Sequence, residues 1–259
     1  VDIRYDEVEI DLPSREEIER AMKYLKNNKA DGSDSISAEL LKHSGPKLVD
    51  ALHEMIQQAW TSETLPESWT KGVLCPVYKK GDKLDCPNYR GICLLNVAYK
   101  VFAKILNDRL LPYANAVVQH YQAGFQAGKS TQDQLFTLRQ ILEKGNEYNI
   151  PTHHLFIDFK AAYDTIIRNE IYVGMLELDF PTKLIRLTKA TLTTVLCCVK
   201  IQNDCSEYFE TRQGLRQGDV LSQLLFNVVL EIIVRRAKLQ TKGTIFNKQI
   251  QILAYADDI

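Results

Sequence analysis

Two acidic features about a hundred residues apart carry most of the chemistry this sequence could perform. One is Tyr255-Ala256-Asp257-Asp258-Ile259, an acidic doublet behind an apolar run. The other is Leu155-Phe156-Ile157-Asp158-Phe159, an apolar segment broken by a single carboxylate. Hard cations such as Mg²⁺ choose carboxylate oxygens. Two such ions held roughly 3.5–4 Å apart stabilise both the attacking and the leaving oxygen of a phosphoryl transfer. Asp158, Asp257 and Asp258 are therefore the candidate catalytic and metal-binding residues, provided that folding brings position 158 to the doublet. Alone, each would read as a cap or turn former; the pairing makes the case.

The elements that must position them are legible in part. Ser14-Arg15-Glu16-Glu17 is a capping box, followed by Ile18, Ala21, Met22 and Leu25 at helical spacing. Asn27 to Asp34 is a turn cluster, and two more helical patterns follow, Ile36 to Leu41 and Leu48 to Ala59, the second opened by Pro46. Val73 to Tyr78 is strand-like, and Lys79-Lys80-Gly81-Asp82 is a turn. Asn88-Tyr89-Arg90-Gly91-Ile92 leads into a helix from Val97 that Pro112 is expected to close. Gly124 to Thr131 is a glycine-spaced loop with Ser130 as N-cap of a helix striped by Leu135, Leu138, Ile141 and Leu142. His153 to Phe159 reads as a buried strand, Leu184 to Leu192 as a helix, and Val195 to Ile201 as a strand paired with Tyr208 to Arg212. A long apolar helix is expected from Gly218 to Arg236, and a short strand from Ile250 to Ala256 enters the acidic turn. This pattern predicts an α+β fold with a central antiparallel sheet covered by helices.

Composition sets the outer limits. The 259 residues are 45% hydrophobic and 25% charged, which is ordinary for a globular chain and excludes a disordered tail. No run of 18 or more apolar residues occurs, so no membrane partner is expected. The start at Val1 has neither an initiator Met nor a signal-peptide core and reads as a cut point. Six cysteines form no CxxC pair and are read as reduced, buried or half-buried thiols of an intracellular protein. A net charge of −1 argues against nucleic acid only on average, because charge is unevenly spread. Acidic residues crowd the first twenty positions. Between Lys71 and Arg109, Lys79, Lys80, Lys83, Arg90, Lys100 and Lys104 outnumber Asp82, Asp85 and Asp108. That stretch suits either a phosphate backbone or a solvated charged face.

Taken in series, the motifs are more specific. In order come Lys29-Ala30-Asp31-Gly32, Trp69 to Asp82, Asn88-Tyr89-Arg90-Gly91-Ile92, Gln122-Ala123-Gly124-Phe125, Ile157 to Asp164, Gln213 to Asp219 with Leu225-Phe226-Asn227, and Tyr255-Ala256-Asp257-Asp258. This ordered set resembles the reverse transcriptase domain of non-LTR (LINE-type) retrotransposons through nearly the whole chain. The resemblance implies a right-hand polymerase fold with a helical N-terminal extension over 1–70, fingers with parts of the palm over 71–150, and a palm over 151–259. It also implies that the family's chain continues past the acidic turn into a returning palm strand and a thumb, so that this piece is expected to be incomplete and poorly active alone.

The resemblance carries roles as well. Asp158 and Asp257 match metal-binding carboxylates and Asp258 their less directly ligating neighbour, with two Mg²⁺ ions, or Mn²⁺, as cofactors. Phe159 and Tyr163 fall where the incoming nucleotide is bound, Tyr163 where a ring collides with a ribose 2′-hydroxyl. Gln217 and Gly218 match the motif beside nucleotide and template, and Arg90 stands where a guanidinium clamps a triphosphate. The implied partners are an RNA template, a DNA primer and dNTPs, in the nucleus or cytoplasm. Departures are Gln223, where a proline is usual, and Gln126 and Lys129, where arginine is frequent. Other readings are an RNA-dependent RNA polymerase, which Tyr163 argues against, an intron-encoded maturase, and a transposon-derived relic retained as a nucleic-acid-binding or structural module.

Overall fold

The computed structural model describes residues 9–238 and 252–259. Helix α1 (Arg15–Tyr24) starts at the expected reciprocal box, with Ser14 Oγ accepting the Glu17 amide at 3.3 Å and Glu17 accepting the Ser14 amide at 2.9 Å. After the short α2 (Ala38–Lys42), α3 (Pro46–Ser62) opens on Pro46, where the missing N–H has no intrahelical acceptor to lose. Ile18, Ile56 and Trp60 bury one face of this N-terminal layer. A forked pair of 2.9 Å bonds from Arg109 to Glu17 ties α1 to α5 (Val97–Val117).

Helix α5 does not end at Pro112 as expected. The ring removes the donor for the Asp108 carbonyl, but Asp108, Leu111 and Pro112 all lie on the exposed side, where water can serve that carbonyl. Leu110 and Ala114 remain buried on the other side, so packing carries the helix through.

The short α4 (Glu67–Thr70) leads into β1 (Lys71–Tyr78), which forms a hairpin with β2 (Tyr89–Leu95) around the basic Lys79-Lys80-Gly81 tip. Strand β3 (Val195–Ile201) lies on the other side of β1, and β4 (Asp204–Cys205) and β5 (Phe209–Thr211) both pair with β3. The expected all-antiparallel sheet is therefore mixed, because β1 and β3 run parallel over Lys71–Leu74. A parallel neighbour needs a long crossover, and the helices between Val97 and Leu192 supply it. Pro76 lies beyond the stretch paired with β3, so its missing N–H breaks no bond on that side.

Helix α6 (Thr131–Glu147) has the predicted Ser130 cap, but among the described residues its apolar stripe is only partly covered: Leu138 and Ile141 are half-buried while Leu135 is 65% exposed. The segment from His153 to Phe159 is likewise not a buried strand. Leu155 is 80% exposed, and the segment's only ladder contact among the described residues is at Asp158. The long apolar helix α9 (Val220–Arg236) begins two residues later than expected, since Asp219 caps it and Gly218 stays outside. Ile250 and Gln251 of the last expected strand lie outside the described residues. All six cysteines are free thiols, although Cys86 and Cys205 are exposed rather than buried. Among the described residues, no helix is long and apolar enough to cross a membrane.

Helix α7 (Arg168–Glu177) has no counterpart among the expected elements; it buries Ile171 and Met175 in the core and is tied down by one buried guanidinium. Arg168 donates to the carbonyls of Gly214, Leu192, Thr211 and Gln213 and to the Thr211 hydroxyl, joining α7, the end of α8 (Thr182–Leu192), β5 and the loop before α9. Replacing it by Met leaves those carbonyls unpaired in the interior. Arg168→Met is expected to cost roughly 2–4 kcal/mol, read as a lowered urea midpoint. An unchanged midpoint would show the bonds to be incidental.

Candidate active site

The structure brings the two acidic segments together. Ile157 and Ile259 exchange reciprocal backbone bonds of 2.7 and 3.2 Å, and next to them Asp158 and Asp258 form an antiparallel bridge. Opposite residues beside a hydrogen-bonded pair have Cα atoms about 4.5 Å apart and side chains on the same face. Both carboxylates accordingly line one groove of about 960 Å³ that runs between α6 and the segment 150–158. The doublet itself sits on a tight turn, closed by bonds of 2.9 and 3.2 Å between Tyr255 and Asp258, with Ala256 at φ +56°. Asp257 lies in the turn and faces Tyr163, whose phenol is pushed up first by burial and then by the Asp257 charge. Within the doublet, Asp258 stands opposite Asp158 in the bridge and Asp257 occupies the adjoining turn.

Tyr163 belongs to a loop that α9 and the segment before it hold in place. Its ring stacks on Phe226 with centroids 4.7 Å apart and planes 16° from parallel. Its hydroxyl is buried and has no hydrogen-bond partner among the described residues. The Leu215 N–H donates to the Tyr163 carbonyl at 2.9 Å and the Gly214 N–H to the Ile166 carbonyl at 2.7 Å, so the loop 163–166 is paired to the Gln213–Asp219 motif. Gln217 Nε2 reaches the Asp164 carboxylate at 3.3 Å, and the Gln217 carbonyl accepts the Cys93 N–H of β2 at 2.7 Å. At Gly218, φ is +117° and a Cβ would press on the Cys93 carbonyl, so only glycine lets this backbone lie against β2.

A buried charged cluster fixes the end of that motif, and spacing gave no hint of its role. Asp219 Oδ2 accepts the Tyr99 hydroxyl at 2.6 Å and Arg216 Nη2 at 2.9 Å, while its Oδ1 caps α9 through the Leu221 N–H at 3.1 Å. The Arg216 guanidinium also lies 4.4 Å from the Tyr99 ring centre. An Arg and an Asp three apart at the start of an apolar helix is the one signal that could have announced it.

The remaining candidates lie farther out. Arg90 on β2 and Lys79 and Lys80 at the hairpin tip are exposed and make no ion pair among the described residues, unlike Lys104, which is bound to Asp108. Phe159 packs against the core and lines an apolar recess of about 300 Å³ with Ala162, Ile166 and Phe226.

The donor chemistry suits a divalent cation. Asp158, Asp257 and Asp258 have no cationic partner among the described residues. Among those residues, no three His, Cys, Asp or Glu side chains converge as a self-contained cage. Mg²⁺ does not need one, since it commonly takes one or two carboxylates and leaves the rest of its shell to water and substrate phosphates.

Comparison with known proteins decides the family. Residues 77–259 match the family described as "Reverse transcriptase (RNA-dependent DNA polymerase)". The chain belongs to the reverse transcriptase family. Its curated relatives include the transposon TX1 uncharacterized 149 kDa protein of Xenopus laevis, 24% identical over 94% of this chain and 19% of that protein. A Pol polyprotein of the R2 retrotransposable element of Popillia japonica is 25% identical over 95% of this chain and 34% of its own length. The chain thus spans about a fifth to a third of such relatives, and these matches place it with reverse transcriptase domains of the non-LTR kind. Among solved structures, apo telomerase from Candida tropicalis superposes with a TM-score of 0.55 at 14% identity, covering 81% of this chain and 48% of that one. The reverse transcriptase chain therefore has the right-hand polymerase fold.

Proposed function

We propose that this domain copies RNA into DNA by nucleotidyl transfer to a primer 3′-hydroxyl, within a longer retrotransposon protein, in the nucleus or cytoplasm. The observation that carries the reading is the facing pair Asp158 and Asp258, in one groove and without a cationic partner among the described residues, with Asp257 in the adjoining turn near Tyr163. A relic kept only for binding has no need of two carboxylates facing each other across a bridge with a third in the adjoining turn. On this reading residues 1–70 are a helical extension, 71–150 fingers with parts of the palm, and 151–259 palm.

Asp158, Asp257 and Asp258 would hold Mg²⁺ or Mn²⁺. Bound there, two such ions neutralise phosphate charge and favour the deprotonated primer hydroxyl. The chain's own groups supply the rest. Tyr163, backed by Phe226, presents a ring edge that excludes a 2′-hydroxyl and so selects dNTPs. Gln217 is oriented by Asp164, and Gly218 lets nucleotide and template approach the backbone. Arg90 offers a free fork donor to triphosphate oxygens. Phe159 sets the floor behind the nucleotide through its core packing.

In a full-length parent protein, Asp158→Ala or Asp257→Ala should lower Mg²⁺-dependent primer extension by about 10³-fold or more, several kcal/mol of lost transition-state stabilisation. Undiminished extension by both variants would remove the assignment. Tyr163→Ala should raise ribonucleotide incorporation relative to dNTP by about tenfold, the scale of a steric pocket effect; an unchanged ratio would remove the gate. Residues 1–259 alone should extend primers poorly, and robust extension by them would show that no further part is required.

A further inference from the structure

The turn bearing Asp257 and Asp258 is gripped from outside by a side chain to which no role has been given. Gln122 is 1% exposed, and both polar atoms of its side-chain amide are hydrogen-bonded. Oε1 accepts the Gly124 N–H at 2.7 Å and the Ala256 N–H at 2.9 Å, and Nε2 donates to the Ala256 carbonyl at 3.2 Å. One side chain thus fixes both polar groups of the residue that precedes Asp257. Ala256 sits in the left-handed region, which a residue with a Cβ rarely adopts unless its surroundings insist.

The grip is reinforced from the backbone. The Ala123 N–H donates to the Ala254 carbonyl at 2.8 Å, and the Ala254 N–H to the Tyr121 carbonyl at 2.9 Å. Gly124 lies so close that a Cβ there would fall on the Ala256 backbone. The segment is in turn moored to α9: Asn227 Nδ2 donates to the Gly124 carbonyl at 3.0 Å, and Glu231 accepts the Tyr121 hydroxyl at 2.9 Å and the Gln119 N–H at 3.2 Å. Asn227 and Glu231 are one turn apart and, with Ser222 in the first turn, are the buried polar residues of a helix whose other buried positions are apolar.

We propose that Gln122 is a positioning residue for nucleotidyl transfer: with Gly124 packed against the turn, it sets the Ala256 backbone and so the direction in which Asp257 and Asp258 present their carboxylates. This rests on the reading of that doublet as catalytic. A glutamine that merely filled the core would affect stability and leave the chemical step alone.

The test uses a full-length protein carrying this domain. Gln122→Met keeps the length and removes all three bonds; Gly124→Ala keeps the bonding groups and pushes the turn. Each should lower kcat for primer extension by about 10²-fold, the effect of misplacing catalytic groups by an ångström. Primer–template binding without divalent metal and KM for dNTP should stay near parental values, while half-saturation by Mg²⁺ moves to higher concentration. Hydrogen exchange over residues 252–259 should quicken in Gln122→Met. Parental kcat and Mg²⁺ requirement in both variants would overturn the proposal, as would loss of primer–template binding in step with kcat. Asp257→Ala separates the two levels. If it is inactive while both variants are fully active, only the positioning role falls; if it is active, the catalytic reading falls first.

Discussion

The whole candidate site hangs on one backbone meeting, the antiparallel bridge that sets Asp158 opposite Asp258 and so puts two like charges on one face. Asp158 and Asp258 have to be kept there, and no cation among the described residues relieves them. The local structure that holds them is slight: one reciprocal pair of backbone bonds at Ile157 and Ile259 and one tight turn. Everything else in the fold acts as a brace on those two points.

The brace has two arms, and both end on α9. One runs from the cap of that helix, where the Tyr99–Arg216–Asp219 cluster holds Gln217 and Gly218 against β2 and the Tyr163 loop beside them. The other leaves the helix two to three turns later at Asn227 and Glu231 and reaches the acidic turn through residues 119–124. Phe226 lies between the two arms and carries the Tyr163 ring. A single well-packed helix therefore sets the spacing between the ring that would face a sugar and the carboxylates that would face a metal.

What the sequence revealed divides along physical lines. Features decided within a few residues were legible: the Ser14 and Ser130 boxes, Pro46 opening α3, the β3 run and its partner β5. The meeting of Asp158 with the acidic doublet was expected from short, ordered motifs, and the two segments do pair. Misreadings arose where distant packing overrules local preference. Pro112 stays helical because Leu110 and Ala114 are already buried, and the short α7 is secured by the long-range bonds of Arg168 as well as by Ile171 and Met175. The segment 153–159 has strand composition yet finds only one ladder contact among the described residues. Nothing local announces that Gln122 reaches Ala256, or which aspartate of the doublet will stand opposite Asp158.

The parallel match of β1 with β3 has a consequence for how the chain is made. It joins residues about 125 positions apart, whereas β1 and β2 close a short hairpin. Loop-closure entropy opposes the distant pairing until many other contacts reward it. During synthesis the hairpin and the amino-terminal helices can assemble while β3 is still inside the ribosome. The third strand of the sheet is thus delivered late, and the exposed flank of β1 must wait for it, open to any other extended segment that arrives first.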